Sequence, residues 1–465
     1  MKRLKPQKSH IILVILVALF IQLLGPGAQA DTLRLYYGSE PSENFMQAHP
    51  GVEIVYTDYE RDYRNTYEII AALLTNTFDY DVFELGTWKY DMHQIMDKGY
   101  CIDLSQSDLI RTELERMHPV ISAQMKRNGI IYAIPRSIQC DVYLTDQEGW
   151  LAAGFSEQDI PQSFPQLLDF LEAWCHRAQS TKDERIKVRN TWDESVYGPH
   201  SYTTWLVQTL IENHIMQCGF AGLPIRFEDE TFLDLLRRSK EVGSLLYETE
   251  PVPNASHQLI ESASGGGSRW PDNVPGRLIS MRLSAGQPKL ISATLSSLAV
   301  YARTGQMTLA IAYLEDVLTQ RTDKWNQPYF SQAMLYQNAQ PIKNPNTQEE
   351  LDSTNARIED MKRKLEDEHL SLSEKKELRA SLEKSEAMLI EIKQREYRLS
   401  PEQLRDYQAL VDKLYFPTPG PFYVTTDTGQ EVLKLIARYC ASNISANEIM
   451  MELDRIARMM ELEGM

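Results

Sequence analysis

The fold is decided by one stretch, residues 79–105, which reads DYDVFELGTWKYDMHQIMDKGYCIDLS. Residues 80–85 form a short, largely apolar run with Tyr, Val and Phe, which predicts a strand. Gly86 follows the run, and residues 90–98 have the apolar spacing of a helix. A strand followed directly by a helix is half of a unit whose strands run parallel. The stretch therefore predicts an α/β fold.

The residues before this stretch repeat the pattern. Residues 33–37 and 52–57 predict two further strands, and the apolar pairs 69–70 and 73–74 recur at helical spacing between the second and third strands. Alternating strands and helices predict a parallel sheet that is covered on both faces.

Ligands bind such sheets outside the carboxyl ends of the strands. Residues 38–40 and 86–88 follow two predicted strands and are expected to form a cleft wall. Asp79, Asp81 and Glu84 are instead expected to flank or edge their strand. Because side chains alternate along a strand, these three acids cannot all face one site, and they do not form a glycosidase pair.

Predicted strands and helices also occupy the rest of the chain. Residues 128–135 predict a turn and a strand that ends at a proline, and residues 136–145 form an extended run. Residues 161–247 are mainly helical in pattern. Residues 290–302 predict a strand, and residues 307–318 an amphipathic helix.

Residues 347–396 differ in composition, being rich in Glu, Lys, Arg and Leu. Leu351, Ile358 and Leu365 recur every seven residues, and Ser371 with Glu374 fits a capping box at the start of a second helix. The segment predicts an antiparallel helical hairpin. Such a hairpin is either a solvated decoration of its own domain or a docking surface for a partner.

The N-terminus predicts a secretory signal peptide over residues 1–30. Basic residues precede an apolar run, residues 11–24, and the small-residue site 28–30 follows it. The run is shorter than the roughly 20 residues that a spanning helix needs, so cleavage before Asp31 is expected, and an uncleaved N-terminal anchor is the minor alternative. The first cysteine is Cys101, so no lipoprotein is expected, and the mature protein should be secreted or periplasmic.

The 465 residues suffice for two domains. The chain has 48 basic and 65 acidic residues, which gives a formal net charge of −17. Four of the basic residues lie in the predicted signal peptide, so its removal changes the net charge to −21. Such an acidic protein would repel phosphate backbones, which excludes nucleic acid as an expected partner. The five cysteines contain no CxxC, and an odd number leaves at least one thiol unpaired.

No motif points to a cofactor or to catalysis. The nine histidines show neither HxH nor HExxH spacing, so no metal site is expected. The sequence also lacks the GxSxG motif and the P-loop pattern.

The order of the segments resembles the family 1 extracellular solute-binding proteins, which are receptors of ABC importers. The segments that carry this resemblance are YDVF (80–83), MDKGYCIDLS (96–105), NGIIYAIP (128–135), PQSFPQLL (161–168), ISATLSSLAVY (291–301) and ISANEIMMEL (444–453). The resemblance implies a two-lobed periplasmic-binding-protein-like fold of type II, to which the hairpin is added. One lobe would hold residues 31–137 and 290–338, and the other residues 138–289 and 339–465.

The resemblance also implies that a solute binds between the lobes and is delivered to an ABC permease by a monomeric receptor. A carbohydrate is the leading ligand, while polyamines, other small metabolites and peptides stay open. The residues expected to contact it are Ser39, Glu40, Thr87, Trp88, Gln139 and Trp270. Polar groups orient a ligand in such a cleft, and flat aromatic faces suit a sugar.

Two other functions stay open. The same fold resembles that of type I thiaminases, in which a cleft cysteine follows a Tyr-x-Ile-Pro strand, and here Cys140 follows residues 132–135. A nucleophilic thiol needs a base, for which Glu261 is the candidate, although a small buried side chain is the more common role of a free cysteine. The third hypothesis is an envelope interaction protein that docks through the hairpin.

Overall fold

The structure is a computed structural model. It describes residues 31–36, 38, 40–57, 66–86, 92–181, 186–189, 200–249, 255, 257–264, 278–320, 334–366, 370–394, 396–417 and 427–462. The predicted signal peptide lies outside these residues. No helix in the described part of the chain is both long enough and apolar enough to cross a bilayer.

The described strands and helices follow the predicted order, with boundaries that differ by a few residues. The strands are β1 Thr32–Tyr36, β2 Glu53–Tyr56, β3 Val82–Gly86, β4 Lys126–Arg127, β5 Ile130–Ile131, β6 Ile134–Thr145, β7 Ile186–Lys187, β8 His257–Gln258, β9 Ile260–Ser264, β10 Leu278–Ile279, β11 Ile291–Val300, β12 Ile342–Lys343, β13 Tyr397–Leu399 and β14 Leu414–Tyr415. The helices are α1 Glu43–Ala48, α2 Thr66–Thr75, α3 Met92–Asp97, α4 Asp108–Arg116, α5 Pro119–Gln124, α6 Gln147–Ala152, α7 Phe164–Thr181, α8 Ser201–Phe220, α9 Glu230–Thr249, α10 Met307–Thr319, α11 Pro345–Leu365, α12 Leu372–Gln394, α13 Pro401–Val411, α14 Asp427–Cys440 and α15 Ala446–Leu462.

The main sheet is mixed rather than parallel, which corrects the prediction. Its strand order is β10-β6-β11-β3-β1-β2, with β14 beside β11 and β9 beside β6. β1 runs parallel to β2 and β3, as the alternating pattern predicts. β11 runs antiparallel to β3 and β6, because it returns to the sheet from the far part of the chain and not through a strand–helix–strand crossover.

Two long strands, β6 and β11, pair with each other in the middle of the main sheet. Cys140 lies opposite Ala293 and Ile138 opposite Leu295, and all four are fully buried. β6 extends past this pairing, and its last residues pair with β9 and β10. One strand therefore belongs to two regions of the fold.

The buried apolar side chains form two clusters. The first cluster lies around β1, β3, β11 and β6 from Ile134 to Leu144, with the helices that flank them. The second contains α7, α8 and α9 together with the C-terminal helices α14 and α15. Two separate cores joined by long strands are what a two-lobed molecule requires.

The boundaries of the lobes stay a prediction. Leu404, Tyr407 and Leu414 pack in the first cluster, although they fall in residues 339–465, which the sequence assigns to lobe 2. Core packing thus favours placing α13 and β14 with lobe 1, because β14 pairs in parallel with the start of β11.

The helical hairpin is confirmed as α11 and α12. Leu351, Ile358, Met361 and Ile392 are buried and belong to neither large cluster, so the two helices bury their apolar residues in the hairpin itself. Lys362 Nζ lies 3.5 Å from Glu386 Oε1 and links the two helices.

A two-stranded sheet closes the base of the hairpin. Ile342 pairs with Leu399 and Lys343 with Tyr397. The capping box at the start of α12 is confirmed, because Ser371 N donates to Glu374 Oε2 at 2.8 Å and Glu374 N donates back to Ser371 Oγ at 3.3 Å. Each end of the hairpin is therefore fixed locally.

In the second lobe, α8 and α9 approach each other closely at a glycine. A Cβ atom added to Gly243 of α9 would lie 2.5 Å from the Cα atom of Thr203. This contact sets the distance between the helices and so the position of the N-terminal half of α8.

We predict that Gly243→Ala lowers the free energy of unfolding by about 1–3 kcal/mol, because the added methyl group forces backbone apart. Alanine has the higher helix propensity by about 1 kcal/mol, so stabilisation would contradict the packing argument. Urea unfolding followed by circular dichroism measures the change. Gly286→Ala is the control, since no atom lies within 4 Å of its added Cβ.

Candidate functional site

Two of the six predicted ligand contacts lie in the described part of the chain. Glu40 is exposed between the end of β1 and helix α1, and Gln139 is exposed in the middle of β6. Ser39, Thr87, Trp88 and Trp270 lie outside the described residues. These six residues therefore stay a prediction, and the geometry of the site is built from the strands around Gln139.

A row of polar side chains occupies one face of the long strands. Ser137 lies opposite Ser296 and Gln139 opposite Thr294, while Ser292 continues the row on β11. Gln139 is exposed and the other four are half-buried, whereas the alternate residues of both strands are buried in the first core. We call these five residues the polar row. It offers hydroxyl and amide groups above an apolar sheet, which is how a ligand site is commonly built.

A buried carboxylate marks the lobe 1 end of the row. Glu84 of β3 has a side chain that is 7% exposed. Its Oε1 atom accepts a hydrogen bond from Ser296 Oγ at 2.5 Å and lies 3.7 Å from Nη1 of Arg136. This corrects the prediction that Glu84 only flanks or edges its strand.

A β-bulge brings Arg136 to this position. Ser296 pairs with Ser137 and Ser297 with Pro135, so Arg136 is the extra residue on β6. A bulge redirects a side chain, and Pro135 beside it cannot donate to the ladder. The sequence contains two signs of this cluster, an acid inside an apolar strand and a basic residue after a proline. Neither predicts the contact between them without the pairing of the strands.

Asp81 has a structural role. Its Oδ2 atom accepts from Arg34 N at 2.8 Å and its Oδ1 from Thr304 Oγ1 at 2.5 Å, so it ties β1 to the turn after β11. Asp79 is exposed. The expectation that these two acids lie at the margin of the strand agrees with these contacts.

The Cys140–Glu261 pair is not formed in this structure. Glu261 lies opposite Leu144, four residues along β6 from Cys140, or about 13 Å at the usual rise of a strand. The Cys140 side chain is fully buried beside Ala293. A thiol that neither reaches solvent nor contacts its proposed base is poorly placed to act as a nucleophile.

None of the five cysteines forms a disulfide, and four of them are buried. Burial raises the pKa values of Cys101, Cys218 and Cys440 above the ordinary value of a thiol. Cys101, in the opening stretch, forms a β-bridge with Tyr301 inside the first core. Among the described residues, no three His, Cys, Asp or Glu side chains are arranged to hold a metal ion.

We predict an energetic coupling between Glu84 and Arg136. Glu84→Gln and Arg136→Met should each lower the free energy of unfolding by about 2 kcal/mol, because each removes one charge of a largely buried ion pair. The double variant should cost about 1 kcal/mol less than the sum of the single variants. Additivity would show that the 3.7 Å contact is not significant. The exposed Arg455–Glu452 pair, which should couple by less than about 0.5 kcal/mol, is the control.

We also predict the order of thiol reactivity. In native protein, Cys218 should react first with an aromatic disulfide reagent, because it is half-buried, and the other four should react only on unfolding. The absorbance of the aromatic thiolate that the reagent releases measures the rate of the reaction. Cys218→Ser should abolish the fast phase. A fast phase that survives Cys218→Ser and is lost in Cys140→Ser would instead support the catalytic hypothesis.

The sequence matches no protein-family model, and no curated protein matches it. Solved structures do resemble it. MsmE, a binding protein of Bacillus subtilis in an open conformation, is 13% identical, with 94% of this chain and 99% of MsmE covered and a TM-score of 0.52. The ABC substrate-binding protein Lmo0181 of Listeria monocytogenes, in complex with cycloalternan, is 11% identical, with 93% and 100% covered and a TM-score of 0.49.

Maltose-bound MalE3 of T. maritima is 10% identical, with 93% of this chain and 100% of MalE3 covered and a TM-score of 0.49. At such identities a likeness establishes the fold and nothing finer. The predicted fold class is confirmed by the MsmE comparison and by the mixed helix and sheet content: the chain has a two-lobed α/β fold like that of MsmE.

Proposed function

We propose that this protein is an extracytoplasmic solute-binding receptor of an ABC importer and that it binds a saccharide between its lobes. The observation that carries the proposal is the polar row on β6 and β11. β6 carries part of the row beside the first core and continues to Tyr143, which packs against the second core, so a ligand on the row would lie along a strand that both lobes contact. A ligand that contacts both lobes stabilises their closed arrangement.

The chemistry of the row favours a ligand with many hydroxyl groups. Four Ser or Thr hydroxyls and the Gln139 amide both donate and accept hydrogen bonds. The predicted platforms Trp88 and Trp270 would add the flat apolar faces that suit a sugar ring. We include both in the proposed site, together with Ser39, Glu40 and Thr87.

The proposal extends to the route of the protein in the cell. Residues 1–30 would direct export and be removed, leaving a monomeric receptor that starts at Asp31, carries no lipid and presents its loaded form to the permease. These points derive from the sequence and from the resemblance to importer receptors.

The two alternative functions have weaker support. The thiaminase-like hypothesis requires Cys140 and Glu261 to act together, and they lie about 13 Å apart along the sheet. The docking hypothesis requires an apolar surface on the hairpin, whose apolar residues are mostly turned inward. Leu372, Met388 and Ile390 are exposed, but single exposed apolar residues are common on protein surfaces.

We predict that a saccharide stabilises the protein that begins at Asp31. Its free energy of unfolding should rise by roughly 2.7 kcal/mol when the ligand is at a hundredfold excess over its dissociation constant. Gln139→Ala should weaken binding about tenfold, since one hydrogen bond is lost, and should leave the unliganded protein stable. A thermal-shift screen against sugars, polyamines, thiamine and amino acids, followed by calorimetry, measures both effects.

Gln348→Ala, an exposed glutamine on the hairpin, is the matched control and should bind like the wild type. Cys140→Ser should also retain binding. If only thiamine or another non-saccharide shifts the stability, or if Gln139→Ala binds the sugar unchanged, the proposed site is wrong.

A further inference from the structure

An arginine lies against two aromatic rings where β6 enters the second lobe. The guanidinium carbon of Arg189 is 4.6 Å from the centre of the Trp205 ring and 5.8 Å from that of the Tyr143 ring. The two rings are themselves 5.8 Å apart and tilted by 56°. A guanidinium group held over aromatic faces is oriented by cation–π attraction.

This cluster lies in line with the polar row. Tyr143 is four residues from Gln139 along β6, so its side chain projects from the same face of the strand about 13 Å away. Arg189 and Tyr143 are half-buried, while Trp205 is only 6% exposed. Gln139 and Tyr143 therefore share one face of β6, at a separation greater than the length of one hexose unit.

The backbone of Arg189 is fixed on both sides. Val188, just before it, accepts hydrogen bonds from Leu259 N at 3.1 Å and Ile260 N at 2.8 Å, and the Arg189 carbonyl accepts one from the Tyr202 hydroxyl at 3.5 Å. A side chain that starts from a fixed backbone loses less entropy when it binds a ligand.

The helix that carries Trp205 also holds a buried polar group. Ser201, one helical turn before Trp205 and on the same face of α8, has a buried hydroxyl with no hydrogen-bond partner in the described structure. Burial raises the pKa of Tyr143, and the charge of Arg189 acts against this rise while Glu212 adds to it.

We propose that Arg189 binds the carboxylate of an acidic saccharide, so that the ligand of the cleft is a uronate-containing oligosaccharide rather than a neutral sugar. The planar fork of a guanidinium group matches a carboxylate in a bidentate pair. Its five N–H donors allow it to keep contacts within the protein and still present an edge to a ligand. The polar row would bind the hydroxyls of the neighbouring units. This inference rests on the proposed function and narrows its ligand class.

The test compares acids with their uncharged counterparts on the same backbone. Oligogalacturonate, oligomannuronate and glucuronate-substituted xylo-oligosaccharide are each titrated by calorimetry beside the carboxyl-reduced form. We expect the dissociation constant of at least one acid to be about tenfold lower than that of its reduced form, or more. The difference should shrink as salt is added, because the attraction is between charges.

Arg189→Gln should remove the preference for the acid and leave the affinity for the reduced form within about twofold. Arg189→Lys keeps the charge without the planar fork and should retain part of the preference, which guards against a folding defect in the first variant. Thermal unfolding of both variants without ligand checks their folding.

The outcomes separate the two levels of the proposal. If neutral saccharides bind and the acids bind no better, the acidic-ligand inference is overturned while the receptor function stands. If an acid is preferred equally by the wild type and by Arg189→Gln, Arg189 is not its binding residue. If no saccharide of either kind binds, the proposed function fails and this inference fails with it.

Discussion

The antiparallel pairing of β6 with β11 is the interaction on which the rest of the structure depends. Its buried side places Ile138, Cys140, Ala293 and Leu295 in the first core, and its other side presents the polar row. Because side chains alternate along a strand, a shift of one residue would exchange the two faces. The same register therefore stabilises the core and exposes the groups that a ligand can contact.

The local pattern of the sequence predicted much of this fold. Apolar spacing found the strands of the first lobe, the long helices and both arms of the hairpin, because periodicity reports which face of an element is buried. The capping box at Ser371 was predicted for a similar reason, since a cap is formed by residues three apart.

The features that the sequence did not predict are those that depend on residues far away in the chain. The direction of β11 is set by where the chain returns to the sheet. The apolar pattern of its own residues is compatible with a parallel or an antiparallel strand. The contact between Glu84 and Arg136 requires a bulge whose existence depends on the register of two strands that are far apart in sequence. Gln139 was predicted as one of the polar groups that orient a ligand, and its exposed position on β6 is consistent with that role.

The base of the hairpin has a consequence for how this chain can change over evolutionary time. The chain leaves the body of the protein at β12 and returns at β13, and these two strands pair with each other. Everything between them is a side branch, so adding or removing whole helical turns would alter neither the path of the chain through the lobes nor the length of any loop that links them. Relatives of this protein can therefore differ in this branch by dozens of residues while their ligand sites stay superimposable.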